Sequence, residues 1–119
     1  MKAASCKAKG RVFQGTVCAA IRAVFGLSEH DARPAIMGET GADIKLSGLG
    51  RRVFPFAVEC KKRESLNVWE ALKQAEANAK KEGLHPVLVF SRNRSPAYAV
   101  VPLGLFVEMA QAYVREGEE

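Results

Sequence analysis

Several features that would place this chain in a familiar class are scarce. It has three cysteines, Cys6, Cys18 and Cys60, an odd number without the close spacing of zinc ligands. Its two histidines, His30 and His85, lie far apart in the sequence. These counts argue against a disulfide framework and against a zinc site, so we expect free thiols.

Long apolar runs are also absent. No segment approaches the roughly 20 apolar residues of a membrane-spanning helix, and the start, MKAASCK, lacks the apolar region of a signal peptide. We therefore expect an intracellular, cytoplasmic protein without a membrane partner. A chain of 119 residues with 48% hydrophobic residues suits one compact domain with a real core.

Acidic residues are the scarcer charge. There are 18 lysines and arginines against 13 acids, a net charge of +5. Four of the acids fall in the last dozen residues, so residues 1–107 carry 17 basic groups against 9 acidic ones, a net of +8. A basic body attracts polyanions such as nucleic acids. A soluble protein that happens to be basic is about equally compatible with this charge.

The hydrophobic pattern predicts an α/β domain with a mixed sheet flanked by helices. We expect a single domain over residues 1–119, whose first ten residues form a basic mobile arm. Residues 28–42 read mainly as loop, with a short strand at 35–37. The remaining elements are a helix at 11–27, an antiparallel hairpin of strands at 42–47 and 53–61, a helix at 67–82, strands at 86–90 and 97–103, and a helix at 105–115.

The helix at 67–82 has clear end signals. Asn67 with Glu70 three residues later resembles a capping box, and Gly83 can end the helix. Its inner stripe consists of apolar residues that are mostly small: Val68, Leu72, Ala75 and Ala79. Such a helix can sit close on a sheet, with Gln74 offset from the stripe.

The chemistry concentrates in the predicted hairpin. Alternation along residues 54–61 places apolar side chains on one face, and Glu59 with Lys61 on the other. Asp43 opens the partner strand and would lie close to both. Two carboxylates and an amine on one sheet face form a site for a hard cation with a positive charge beside it. That arrangement suits hydrolysis of a phosphodiester.

A Glu-x-Lys on a strand is by itself also typical of a solvated face with an ion pair. Glu59, however, lies deep in an apolar strand, where a carboxylate without a cation would be costly. The order Asp43, Glu59-x-Lys61 and a helix carrying Gln74 resembles the PD-(D/E)xK nuclease superfamily. Within it, the chain resembles the small archaeal and phage-type Holliday junction resolvases over most of its length. This resemblance implies a restriction-endonuclease-like fold.

The resemblance also implies a role for each residue. Asp43 and Glu59 would bind Mg²⁺ or Mn²⁺ through oxygen, with the backbone carbonyl of Cys60 as a further ligand. Lys61 would orient the attacking water or stabilise the developing charge. Gln74 would position the water or a backbone phosphate.

Two positions depart from the family pattern. Ala42 precedes Asp43, where the superfamily often has proline. Resolvases usually carry a glutamate in the first helix, and the matching position is Gln14, which can bind a metal's water but adds no charge. Glu39 either compensates from the loop or is a solvated acid. Whether one or two metals bind therefore stays open.

We expect phosphate contacts from basic residues around the site: Lys7, Lys9, Arg11, Lys62, Arg63, Arg92 and Arg94. Each of them alone is equally compatible with a solvated surface. No base-reading motif is present, so specificity for DNA shape is favoured over specificity for sequence. Trp69 is interpreted as a core or dimer-interface residue.

We therefore expect a Mg-dependent endodeoxyribonuclease of phage or prokaryotic origin. Its expected substrate is the four-way junction of DNA recombination and repair, cleaved by a homodimer because two symmetric cuts need two sites. The alternatives are a replication-repair, flap or nicking nuclease, and a basic DNA-binding module without activity. Intact Asp43, Glu59 and Lys61 argue against the last.

Overall fold

The computed structural model describes the backbone of residues 2–118 and the side chains of residues 7–118, so the Cys6 thiol lies outside the described part. It confirms the α/β class. In chain order the elements are α1 (Lys2–Phe25), β1 (Ala32–Pro34), β2 (Ile44–Leu46), α2 (Gly48–Val53), β3 (Phe56–Lys62), α3 (Val68–Glu82), β4 (His85–Ser91), β5 (Tyr98–Val100) and α4 (Leu103–Glu118).

A three-stranded mixed sheet forms the centre, in the order β3-β4-β5. β3 runs parallel to β4, with Val58 opposite Val87, and α3 makes the crossover between them. β5 is antiparallel to β4, with Val100 opposite Leu88. The prediction of a mixed sheet flanked by helices is confirmed. β3 is an edge strand of this sheet, and the candidate site lies along its open side.

The predicted hairpin is wrong. β2 pairs with β1 in a separate antiparallel ribbon, with Lys45 opposite Arg33, and does not form a ladder with β3. The turn-rich stretch between them folds into the helix α2, because the Ser47 hydroxyl accepts the Gly50 N–H at 3.0 Å as an N-cap. A Cβ at Gly50 would collide with the Asp31 carbonyl oxygen, so glycine lets α2 lie against the backbone just before β1.

Residues Lys2–Gly10, expected to form a mobile arm, instead form the first turns of α1. Alanine and lysine, which fill much of this segment, are strong helix formers, and they outweigh Gly10 and Gly15. The helix ends at Phe25, followed by Gly26 at φ +64°. The basic residues Lys7 and Lys9 therefore lie on a helix beside β3 rather than on a mobile arm.

The prediction for α3 is confirmed at both ends. The Asn67 side chain accepts the Glu70 N–H at 3.2 Å, and Gly83 closes the helix in the left-handed conformation. Three alanines make its buried stripe: Ala71, Ala75 and Ala79. Predicted stripe members Val68 and Leu72 are half-buried, since the stripe is centred one position away from the expected one.

β3 separates two apolar clusters. Val58 and Cys60 join the larger cluster with Phe13 and Cys18 of α1, whereas Ala57 joins a smaller cluster with Ala42 and Ala79. Helices α1 and α3 therefore flank opposite faces of the strand, as alternation along it predicts. Cys18 and Cys60 are buried free thiols, as expected.

The last two elements differ from the prediction in their bounds. β5 is only three residues long, and α4 begins at Leu103 and continues to Glu118. Pro102 separates them, which is consistent with its inability to donate to a strand ladder. Within residues 2–118, no helix combines the length and the apolar character needed to cross a bilayer.

Candidate active site

Asp43 lies immediately before β2 and is held against the open edge of β3 by two hydrogen bonds. Its backbone N–H donates to the Val58 carbonyl at 2.9 Å, and its carboxylate Oδ2 accepts the Cys60 N–H at 2.7 Å. Burial raises the pKa of Asp43, against the opposing effects of the Cys60 N–H and of Lys61 and Lys45. The Asp43 carboxylate is therefore fixed in position and partly desolvated.

Glu59 projects from β3 on its α3 side and is only 2% exposed. Its Oε2 lies 3.4 Å from Lys61 Nζ, and its Oε1 accepts a hydrogen bond from Asn78 Nδ2 at 3.3 Å. Burial raises the pKa of Glu59, the nearby Asp43 carboxylate raises it further, and Lys61 opposes both. The structure thus brings Asp43, Glu59 and Lys61 together, although not through the hairpin that the pattern suggested.

Cys60 offers its backbone to the site and its side chain to the core. In a strand, the N–H and C=O of one residue point to the same edge, so the Cys60 carbonyl faces the edge where Asp43 lies. The thiol packs in the larger apolar cluster, and burial raises its pKa. The group available for ligation is therefore the carbonyl oxygen.

These groups fit a hard divalent cation. Asp43 and Glu59 supply carboxylate oxygens and Cys60 a carbonyl oxygen, with no histidine or thiolate among them. Within residues 2–118 no group of three or more acidic, cysteine or histidine side chains could hold a metal. A cation here would depend on two carboxylates, a carbonyl and water, the kind of shell that Mg²⁺ accepts.

Two neighbours of the site were not predicted. Lys45 follows Asp43 by two residues, and its charge lowers the Asp43 pKa while its ammonium donates to the Thr40 carbonyl. Asn78 holds the Oε1 oxygen of Glu59. Both left a signal in the sequence, because Asp43-x-Lys45 repeats the Glu-x-Lys spacing and Asn78 lies one helical turn after Gln74.

Gln74 is exposed on α3 and does not contact the carboxylates directly. It lines a depression of about 290 Å³ together with Lys61, Arg63 and Glu70. Gln74 therefore opens toward the same space as Lys61, while the residue one turn later, Asn78, contacts Glu59. The role that the resemblance implies for Gln74, positioning a water or a backbone phosphate, would therefore be carried out at this depression.

Among the described side chains, neither Gln14 nor Glu39 is hydrogen-bonded to the two carboxylates. Gln14 is half-buried on α1, and across the described side chains no hydrogen bond joins it to Asp43 or Glu59. Glu39 pairs with both Arg33 guanidinium nitrogens, at 2.8 and 2.9 Å, and accepts the Ile36 N–H. The Arg33 hydrogen bonds lower the Glu39 pKa to about 2. Of the two alternatives for Glu39, this geometry favours a surface ion pair that shapes its loop.

Beside the site runs a basic groove of about 460 Å³. Its cationic lining residues are Lys7, Lys9, Lys61, Lys62 and Arg63. Lys9 Nζ donates to Asn93 Oδ1 at 3.3 Å, so α1 meets the turn between β4 and β5 there. Segments 84 positions apart thereby border one surface next to Lys61.

Arg92 and Arg94 line an adjoining depression of about 830 Å³, which shares Arg63 and Asn93 with the basic groove. The Asn93 N–H donates to Glu64 Oε2 at 2.7 Å, which orders the turn. Six of the seven predicted phosphate-contact residues therefore border connected depressions. The exception is Arg11, which is exposed on α1 and lines neither of them.

One of three comparisons with known proteins found a match. A family profile described as "Phage putative PDDEXK endonuclease" matches residues 5–115. The matched range includes both carboxylates, Lys61 and the basic groove, and the description fits the expected phage origin. The searches of curated proteins and of solved structures gave no match.

Proposed function

The chain belongs to the phage PD-(D/E)xK endonuclease family, and on this premise we propose that it is a metal-dependent, structure-specific DNA endonuclease that resolves Holliday junctions. Membership makes it a nuclease with a restriction-endonuclease-like fold. The observation that carries the proposed metal-dependent cleavage is the hydrogen bond from the Cys60 N–H to the Asp43 carboxylate, beside a buried Glu59 paired with Lys61.

Asp43, Glu59 and the Cys60 carbonyl would hold Mg²⁺ or Mn²⁺. The bound ion would lower the pKa of a coordinated water and neutralise charge on the phosphate. Burial raises the pKa of both carboxyl groups, and the Asp43 charge raises that of Glu59 further, so a cation that compensates their buried negative charge would be favoured here.

The remaining site residues act on orientation and charge. Lys61 stands at the mouth of the site and would donate to the phosphate oxygen on which charge develops. Asn78 holds Glu59 Oε1 and so sets the rotation of that carboxylate. Gln74 shares a depression with Lys61 and can hydrogen-bond the nucleophilic water or a neighbouring phosphate.

Support for a branched substrate comes from the shape of the basic surface. The basic groove and the Arg92–Arg94 depression meet at Arg63, next to Lys61, so two backbone paths would converge at the site. Phosphate contacts of this kind read DNA shape rather than sequence. Two symmetric cuts in a four-way junction further require two copies of the chain.

The test is a cleavage panel with four-way, flap, nicked and linear DNA of shared sequence, in Mg²⁺, in Mn²⁺ and in EDTA. We expect cleavage only with metal, and the highest rate on the four-way junction. Equal rates on junction and linear duplex at matched salt would overturn the junction specificity and leave a general nuclease. Binding without cleavage of any substrate would favour the DNA-binding module.

A paired substitution tests the second backbone path. Arg92→Ala with Arg94→Ala should weaken junction binding on any sequence. Binding should also become less sensitive to salt, because a protein that makes fewer phosphate contacts releases fewer counterions from the DNA. Lys80→Ala with Lys81→Ala, at the far end of α3, removes the same charge as a control. Gel-shift titrations over a range of salt concentrations measure both. An equal loss of junction affinity in the two double variants would mean that net charge alone, and not a contact at Arg92 and Arg94, causes the effect.

A further inference from the structure

Helix α4 is amphipathic, yet no residue of it is buried. Its large apolar side chains lie open to solvent, with Leu103 77% exposed, Phe106 56% and Tyr113 81%. Helical spacing places these three on one side together with Val107, Ala110 and Val114. We call these six residues the α4 stripe. An exposed apolar area of this size on a soluble protein marks an interaction surface.

A helix of 16 residues is only marginally stable in water on its own. Most helical stability in proteins comes from packing of the apolar side against another surface. Within the described part of the chain, only Leu105 and Ala110 of α4 are half-buried, and the rest of the helix is exposed. The helix therefore needs a surface that a single copy, in this arrangement, does not provide.

A second exposed apolar area adjoins the start of α4. Trp69 on α3 is 82% exposed and borders a shallow apolar cavity of about 320 Å³. Apart from Glu76 its lining is apolar, and we call six of the apolar residues the Trp69 patch: Trp69, Leu72, Pro86, Val100, Val101 and Leu103. Leu103 belongs to both areas, so the patch and the α4 stripe form one continuous apolar surface.

We propose that this surface is the interface of a homodimer, in which the α4 stripe of each copy covers the Trp69 patch of the other. A two-fold axis makes such an arrangement reciprocal, so one surface satisfies itself in both copies. This interface would form the dimer that the proposed function requires. The proposal rests on that function only for the biological role of the dimer. The physical argument does not depend on catalysis.

The area of the surface is sufficient for a stable dimer. Covering the large side chains of the stripe and Trp69 would bury on the order of 800 Å² per copy, the size of a standard interface. Aromatic residues such as Trp69, Phe106 and Tyr113 are the type enriched at interface centres.

Charge favours a second copy as the occupant. Helix α4 carries Glu108, Glu116 and Glu118 against the single cation Arg115, whereas residues 1–107 carry a net charge of +8. The α4 helix of one copy is thus attracted to the basic body of another by net charge, although Glu76 borders the Trp69 patch itself. The excess of acidic residues also disfavours contact between two α4 helices.

The chain contains its own reporter, because Trp69 is its single tryptophan. Tryptophan emission and acrylamide quenching should be followed over a dilution series, alongside the mass from light scattering or sedimentation. We expect a blue shift and protection from quenching as concentration rises, in step with the change from monomer to dimer mass. No DNA is needed, so this result and the cleavage panel fail independently.

Phe106→Glu with Tyr113→Glu should abolish the dimer and leave Trp69 exposed at every concentration. Ala112→Glu places a single glutamate on the opposite side of α4 and should leave the dimer intact. Circular dichroism confirms that each variant is folded. A monomer with buried Trp69 would mean that α4 folds back on its own chain, which overturns the proposal. A monomer with exposed Trp69 at every concentration, or a dimer unaffected by the double variant, would overturn it as well.

Discussion

Helices α3 and α4 have nearly the same length, 15 and 16 residues, and both are amphipathic, but they are used differently. The stripe of α3 is made of alanines, whose small side chains are buried and allow the helix backbone to lie close to β3 and β4. The stripe of α4 consists mostly of large side chains, and in the described part of the chain none of its residues is buried. Amphipathicity therefore indicates that a helix needs a partner, but residue size and position decide which one.

The close approach of α3 has a consequence for the site. It brings Asn78 to Glu59 Oε1 and Gln74 to the depression that Lys61 lines. The α3 side of the molecule thus positions the chemistry, whereas the α4 side presents a surface. Substitutions on the two sides should separate these two properties.

The largest expected effect is loss of the site carboxylates beside α3. Asp43→Asn and Glu59→Gln should each abolish metal-dependent cleavage, because either change removes one of the two carboxylates that the described site offers to a metal ion. DNA binding should persist. Gel assays of cleavage and of binding measure both properties, and the α4 variant Ala112→Glu serves as the matched surface control. Near-normal cleavage by either folded carboxylate variant would contradict the assignment.

Lys61 comes next. Lys61→Ala should slow cleavage by roughly a hundredfold or more, the scale of losing one positioned charge at a developing oxyanion. Lys61→Arg should rescue poorly, since a planar guanidinium does not replace a compact ammonium. Lys73→Ala removes an exposed lysine of α3 as the control. Single-turnover rates at saturating enzyme measure the effect, and parent-like rates for both Lys61 variants would make Lys61 a bystander.

A pair of enlarged alanines tests the packing contrast directly. Ala75→Leu on α3 should destabilise the fold by roughly 1–3 kcal/mol, because the buried stripe has no room for a larger side chain. Ala112→Leu, at an exposed position on the side of α4 opposite the stripe, should change stability by less than about 0.5 kcal/mol. Urea denaturation at one protein concentration gives both values. Equal losses at the two positions would remove the distinction between the helices.

The smallest effect concerns pH. Burial raises the Glu59 pKa in the folded protein, so its contribution to stability is full below the unfolded value of about 4.5 and is lost as pH rises through the folded value. Without metal, Glu59→Gln should therefore be more stable than the parent at pH 7, by roughly 1 kcal/mol. The advantage should shrink toward pH 4.

Urea titrations of parent and Glu59→Gln in EDTA across this pH range provide the measurement. Taking the difference between the two proteins removes the opposite contribution of Glu39, whose lowered pKa adds stability that is lost as pH falls from about 4.5 toward 2. Mg²⁺ should then stabilise the parent more than the variant. A parent that is the more stable one at pH 7 in EDTA would contradict the cost assigned to burying Glu59.

Local features of the sequence correctly predicted the ends of α3 and the two faces of β3. Asn67 and Gly83 mark the ends of α3 because capping and the left-handed conformation depend on the residue itself and its nearest neighbours. Alternation along β3 places Val58 and Cys60 in the core and Glu59 on the other face, for the same local reason. The prediction for residues 48–53 was wrong, because the glycines suggested a turn while the Ser47 cap and the close contact of Gly50 with Asp31 favoured a helix.

The sequence by itself determined which residues could carry chemistry: the order Asp43, Glu59-x-Lys61 and Gln74, and the basic residues around them. Only the tertiary structure decided how they meet. Asp43 reaches the site through the backbone of Cys60, Asn78 through the approach of α3, and Lys9 through the turn at Asn93. These contacts join residues 17, 19 and 84 positions apart, and such pairings depend on packing of whole elements rather than on local preference.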